Sequence, residues 1–278
     1  MALDWLPIYR GLLVFLITGQ PYASPGYFYP PVFTLLFVPF ALLPVLTGYL
    51  LLTLLTVGLC LRAYGKRFAY WLLFAPVAFG LVVGNVDLLF VALAAFVRPT
   101  RKGALLMALL TLKPQLALVL LPGLLLKTKP VLSYFLAYTA ILWGIPTLLF
   151  PDLTHQWLTG LFSGAYGHAG VNSAGLWSFG LPVVLTAALC ATVIALTRWR
   201  DDTRVAMMLI SPLGQWNGLV ALMDTAPLWL LAISGAIAVY GNGMTNRPYW
   251  FTVIPLAAFG WQVSRERIAA VSLLRKHA

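Results

Sequence analysis

Residues 32–67 read VFTLLFVPFALLPVLTGYLLLTLLTVGLCLRAYGKR, with no charge before Arg62, Lys66 and Arg67 close the run. A helix needs roughly 20 apolar residues to cross the hydrocarbon of a bilayer. The apolar residues here are continuous rather than alternating, which points to helices and away from the strands of a lipid-embedded barrel. Lipid offers the backbone no hydrogen-bond partners, so each span has to satisfy its own N–H and C=O groups. The stretch predicts a first span over 32–61 that ends at a basic cluster.

The rest of the chain has the same character. Of its 278 residues 61% are hydrophobic and 9% charged, whereas an ordinary soluble domain carries roughly 25% charged residues. Such a chain cannot cover a water-facing surface. The net charge of +11 sits in short clusters between apolar runs: Arg98/Arg101/Lys102, Lys127/Lys129, Arg198/Arg200/Arg204 and Arg265/Arg267/Arg275/Lys276. Positive residues in short loops mark the cytoplasmic side. The excess is therefore assigned to topology and anionic lipid, and no nucleic-acid partner is expected. Cys60 and Cys190 lie in apolar runs as small buried residues, with no disulfide framework and no zinc spacing.

Two further runs begin and end at basic clusters, 68–97 and 103–126. One span cannot keep both ends on one side. Each is expected to enter and return as two short helices around a polar centre, Gly84-Asn85-Val86-Asp87 in the first and Lys113-Pro114-Gln115 in the second. Pro114 disfavours a helical Lys113 and removes a helix donor. The alternative is one long kinked span in each run, with one basic cluster outside. The fold class expected is all-α, a polytopic membrane bundle of about 8–11 transmembrane or re-entrant helices.

In this reading 1–278 is a single membrane domain. Residues 1–31 form an outer loop with an amphipathic helix at 6–18, and 32–150 form helices with polar-tipped hairpins. Residues 151–178 are a second outer loop, 179–264 further helices, with a third polar centre at 211–217, and 265–278 a basic cytoplasmic tail. The arrangement gathers Asp4, Asn85, Asp87, Lys113, the 151–178 loop, Gln215 and Trp216 on one face.

Ionisable groups within apolar runs are costly and mark functional candidates. Lys113 is either a compact cation for a phosphate or a snorkelling, topology-setting lysine. Asn85 and Asp87 bind sugar hydroxyls, pair with Lys113, or, for Asn85, cap the helix that follows. Asp4 has the chemistry of a general base for a hydroxyl, and alone would be a solvated loop acid. His155 and His168 are ordinary polar-loop histidines unless a ligand lies near. With no phosphate-binding loop and no Ser/His/Asp signature, any transferase here must take its donor from the membrane.

Several segments in order resemble glycosyltransferase family 87: Asp4-Trp5 with Tyr9-Arg10, Gly19-Gln20-Pro21-Tyr22, Tyr29-Pro30-Pro31-Val32-Phe33, and Pro39-Phe40-Ala41-Leu42-Leu43-Pro44. Gly84-Asn85-Val86-Asp87, Leu112-Lys113-Pro114-Gln115, Asn172-Ser173 and Ser211-Pro212-Leu213 continue the series. The resemblance implies a GT-C-type helical bundle that lacks the helix members usually carry before the acidic loop. It implies an inverting hexosyltransferase that moves a sugar, mannose in the family's typical case, from a polyprenyl-phosphate donor to a lipid-linked glycan or glycolipid outside the cytoplasm. Asp4 would be the catalytic base, with Lys113 and Arg10 at the donor phosphate. Tyr29, Asn85, Asp87, Gln115, His168, Asn172, Gln215 and Trp216 would line the substrate. No cofactor or metal is expected. The place is a bacterial or archaeal plasma membrane, and the partners are lipid substrates, membrane lipids and other membrane subunits. The competing expectations are a catalytically reduced structural subunit and a transporter with midplane polar tips.

Overall fold

The computed structural model describes residues 4–162 continuously, then 185, 203–210, 216–224, 227, 229–230, 233–234, 236 and 253–277. Among them all regular structure is helical. The helices are α1 (Trp5–Thr18), α2 (Pro31–Ala41), α3 (Val45–Tyr64), α4 (Arg67–Trp71), α5 (Ala75–Val83), α6 (Asp87–Ala94), α7 (Arg101–Leu110), α8 (Pro114–Lys127), α9 (Leu132–Leu149) and α10 (Pro151–Phe162). Beyond them a helix spans Arg204–Ile210, a 3-10 segment Trp216–Leu222 and a long helix Val253–His277.

Among the described residues two segments, Val45–Tyr64 and Lys129–Leu149, are long and apolar enough to cross a membrane. At 1.5 Å per residue each covers roughly 30 Å, the thickness of the hydrocarbon layer. Leu46, Leu50, Leu54 and Leu61 on α3, with Leu136, Ile141, Ile145 and Leu148 on α9, are exposed. A surface of that composition suits lipid better than water. Both segments join the same two ends of the molecule. One end holds the exposed basic residues Arg62, Lys66, Arg67, Arg98, Arg101, Lys102, Lys127 and Lys129. The other holds Asp4, the 19–30 loop and α10.

Both runs flanked by basic clusters break at their polar centres. The first divides into α4, α5 and α6, one helix more than expected, and the second into α7 and α8, each too short to span alone. Gly84 ends α5 in the left-handed region at φ 74°, and Asn85 N–H returns to Gly80 O at 2.8 Å. Pro114 sits at the first position of α8, where a missing N–H costs nothing. The carbonyls orphaned at the end of α5 are taken by Tyr49 from α3, whose hydroxyl donates to Leu81 O at 2.9 Å and Val82 O at 3.2 Å.

The expected first span, 32–61, is two helices. Pro44 pushes Leu43 out of helical conformation and divides α2 from α3. Side chains of α1 satisfy the break: Trp5 Nε1 donates to Val45 O and Tyr9 OH to Leu43 O, both at 3.0 Å. Residues 151–162, read as the start of a loop, form α10, with Pro151 and Asp152 in a favourable first turn. Its Leu153 and Trp157, one turn apart, are buried, and the helix packs on α9 and α2. The basic segment from Arg265 continues the helix Val253–His277, as its Arg, Glu, Ala and Leu residues favour. Most of the expected runs 181–196 and 227–240, and the polar centre 211–215, lie outside the described residues.

In lipid, helices associate through close packing and hydrogen bonds, and small residues admit large neighbours. The buried core joins Trp5, Ile8 and Leu12 of α1 to Tyr27, Phe33, Leu88 and Phe90. Gly11 leaves room for the Tyr27 ring, which a β-carbon there would strike. A β-carbon on Gly84 would lie 2.7 Å from Trp5 Cβ. Gly84→Ala therefore combines left-handed strain with a clash, and is expected to destabilise the fold by about 1–3 kcal/mol from the strain alone. Gly58→Ala, on α3 with nothing within 4 Å, is the control. Thermal unfolding of the purified protein in detergent should lower the midpoint for Gly84→Ala and leave Gly58→Ala at or above wild type.

Candidate functional site

Three connections meet between the start of α1, the α5–α6 turn and Lys113, the residue that precedes α8. The Asp4 N–H donates to Val83 O at 3.0 Å, which fixes the acid beside the turn. Asn85 Nδ2 donates to Asp4 Oδ2 at 2.8 Å. Asn85 Oδ1 accepts from the Asp87 N–H at 2.7 Å, an Asx turn that satisfies the first N–H of α6 from the residue before its N-cap, Val86.

Asp87 carries the network on. Its Oδ1 lies 2.9 Å from Lys113 Nζ. That oxygen accepts no directed hydrogen bond from the described residues, so the contact is an ion pair of imperfect alignment. Lys113 Nζ also donates to Tyr29 OH at 3.2 Å and lies 4.7 Å from the Tyr29 ring centre. Asn85, Asp87 and Lys113 are 9%, 5% and 8% exposed. A buried ammonium survives only with partners of this kind. Asp87 is also in the first turn of α6, where the helix dipole favours a negative charge.

Tyr29 is held from both sides. Its ring stacks on Phe33, with centroids 4.1 Å apart, and Phe33 stacks on Phe37 at 4.0 Å. The Tyr29 carbonyl accepts from Tyr22 OH at 2.9 Å. Burial pushes the Tyr29 phenol above its ordinary value, with the Lys113 ammonium pulling the other way. The hydroxyl accordingly stays protonated and accepts from the ammonium. Burial likewise raises Tyr27, whose hydroxyl shares a 2.7 Å hydrogen bond with Thr34. The neighbouring Phe28 carbonyl accepts from Trp157 Nε1 at 3.1 Å, tying α10 to this loop.

Of the residues singled out from sequence, Asp4, Tyr29, Asn85, Asp87 and Lys113 come together. Asp87 pairs with Lys113, one of its expected roles, while Asn85 holds the first N–H of α6 from one position before the N-cap, Val86, and bonds Asp4. Gln115 is the second residue of α8, its Oε1 buried without a hydrogen-bond partner among the described residues. Arg10 is exposed on α1, away from the buried face of Trp5, Ile8 and Leu12. His155 is exposed on α10. His168, Asn172 and Gln215 lie outside the described residues, and of Trp216 only the backbone is described. Sequence reasoning passed over Val83, whose carbonyl holds Asp4, and Trp157, whose indole holds the loop. The second had a signal in its four-residue spacing from Leu153. The first had none, because a carbonyl partner leaves no mark on residue identity.

The arrangement links the Asp4 carboxylate, through Asn85 and Asp87, to a buried cation whose charge Asp87 balances. It can accept a proton at Asp4 and offer a localised positive charge at Lys113. A family model for glycosyltransferase family 87 matches residues 27–215. The match includes Tyr29, Asn85, Asp87, Lys113 and Gln115, and begins after Asp4 and Arg10. No curated protein and no solved structure matches the chain.

Removing one partner of a buried ion pair leaves the other uncompensated, at a cost of about 3–5 kcal/mol, whereas an apolar pair of similar volume is often neutral. Lys113→Met is therefore expected to lower the unfolding midpoint sharply. The double variant Lys113→Met/Asp87→Leu should regain most of the loss. Differential scanning fluorimetry of the three proteins checks the order, and a single variant as stable as wild type would contradict it.

Proposed function

The chain belongs to glycosyltransferase family 87, and on that premise we propose that it is a multi-pass membrane enzyme which transfers a sugar, mannose as first candidate, from a polyprenyl-phosphate donor to a lipid-linked glycan or glycolipid. The helices form a GT-C-type bundle in the plasma membrane. The basic end faces the cytoplasm and the Asp4 end the outside. The observation that carries the reading is the continuous link from Asp4 through Asn85 and Asp87 to Lys113.

In the reaction the acceptor hydroxyl oxygen attacks the anomeric carbon of the donor. The bond from that carbon to the phosphate oxygen breaks, and the anomeric configuration inverts. Asp4 takes the hydroxyl proton as general base. The electron pair leaves with the polyprenyl phosphate. Lys113 stabilises this developing charge. It is paired with Asp87 and donates to Tyr29, and a phosphate oxygen takes a remaining N–H. Because Asp87 already balances the ammonium, the site does not hold a bare cation in the absence of donor. Gln115, two residues after Lys113, meets the donor's polar groups in this reading. The roles of Arg10, His168, Asn172, Gln215 and Trp216 toward substrate rest on the family resemblance.

Purified protein in lipid, given radiolabelled polyprenyl-phosphate-mannose and a membrane glycolipid extract, should move label into glycolipid. Loss of a general base costs about 10²–10⁴-fold. Asp4→Asn should therefore remain folded and lose at least a hundredfold in kcat. An Asp4→Asn protein with full activity would overturn the assignment. A folded wild type that transfers nothing, across a set of polyprenyl-phosphate sugars, would favour the structural-subunit reading.

A further inference from the structure

We infer that Asn85 is a positioning residue that fixes the Asp4 carboxylate relative to the Lys113 cation, an inference that rests on the reading of Asp4 as the base. The two ends of the Asn85 side chain do different work. Its amide nitrogen reaches Asp4 Oδ2 at 2.8 Å, and its amide oxygen receives the Asp87 N–H at 2.7 Å. The orientation of the amide follows from chemistry, because an ionised carboxylate only accepts and a backbone N–H only donates. Asparagine alone among short side chains places an acceptor and an N–H₂ donor on one carbon.

The surroundings make the link stiff. Asn85 is 9% exposed. Gly84 turns the backbone into it at φ 74°, with no room for a β-carbon against Trp5. The Asp4 main chain is bonded to Val83 O at 3.0 Å, on the same turn. Both the backbone and the carboxylate of Asp4 are therefore held by residues 83–85. The residue whose N–H Asn85 holds is Asp87, the partner of Lys113. The distance from base to cation is thus set through one turn instead of across a flexible loop, and displacements near 1 Å in such a geometry cost large factors in rate.

Holding the Asp87 N–H alone would need only the amide oxygen, and aspartate supplies that acceptor equally well. Asn85→Asp keeps this acceptor and removes the donor to Asp4. It also sets a second carboxylate against Asp4, with Asp87, Lys113 and Tyr29 as the other titratable groups around it. Asn85→Ala removes both functions.

The test compares kcat, donor KM and the pH profile for wild type, Asn85→Asp and Asn85→Ala in the lipid-transfer assay. Positioning predicts that both variants lose at least tenfold in kcat while donor KM stays within twofold. It also predicts that the acidic limb of the Asn85→Asp profile moves up by a pH unit or more, since a neighbouring carboxylate disfavours ionisation. Asn85→Asp with wild-type kcat and an unmoved limb overturns the inference and leaves the transferase reading standing. A wild type that transfers nothing overturns both. If the variants do not fold, the bridge is read in wild type labelled with ¹⁵N-asparagine. The Asn85 side-chain amide should shift on Asp4→Asn, and an unmoved signal overturns the inference.

Discussion

The buried pair of Lys113 and Asp87 is the constraint on which the rest of the site depends. Neither charge could stay so far from water alone, and each lies at the start of a helix interrupted for its sake. The ammonium can reach the carboxylate only because α7 breaks before α8 and α5 breaks before α6. Two helical hairpins whose polar tips lie apart would leave both charges stranded in an apolar environment. The pair therefore holds the hairpins in register.

From that pair the order spreads to the N-terminal segment. Asp87 lends its N–H to Asn85, Asn85 lends its amide to Asp4, and Trp5 and Tyr9 of α1 satisfy the backbone where Pro44 divides α2 from α3. The same helix that carries the proposed base closes the break in the next two. A site assembled in this way is rigid because removing any one bond leaves a buried polar group without a partner, and such groups are costly in a low-dielectric interior.

The two long segments, Val45–Tyr64 and Lys129–Leu149, have a different part. Their exposed leucines and isoleucines face away from the network, and each delivers an end to the site. Tyr49, in the first half of α3, caps α5 beside Gly84, and α9 leads into α10, whose Trp157 holds the loop before Tyr29. In this arrangement the apolar exterior, suited to lipid, supports a polar interior at one end.

Much was legible in the order of residues. Composition determined a helical chain suited to lipid, because continuous apolar runs and few charges permit little else. The prolines and glycines located the breaks at 84–87 and 113–114, since Pro114 and Gly84 act on their own backbone. The location of Lys113 within an apolar run marked it as a functional candidate. The topology already gathered Asp4, Asn85, Asp87 and Lys113 on one face, and what remained out of reach was which of their atoms meet. Whether Asp87 would face a sugar or Lys113, and whether Asn85 would reach Asp4 81 residues away, depended on how the hairpins pack. The helical nature of 151–162 was likewise settled by Leu153 and Trp157 finding a surface on α9 and α2. Local backbone chemistry is written in neighbouring residues, whereas the partners of a buried charge are chosen by packing, and only the tertiary structure decided those.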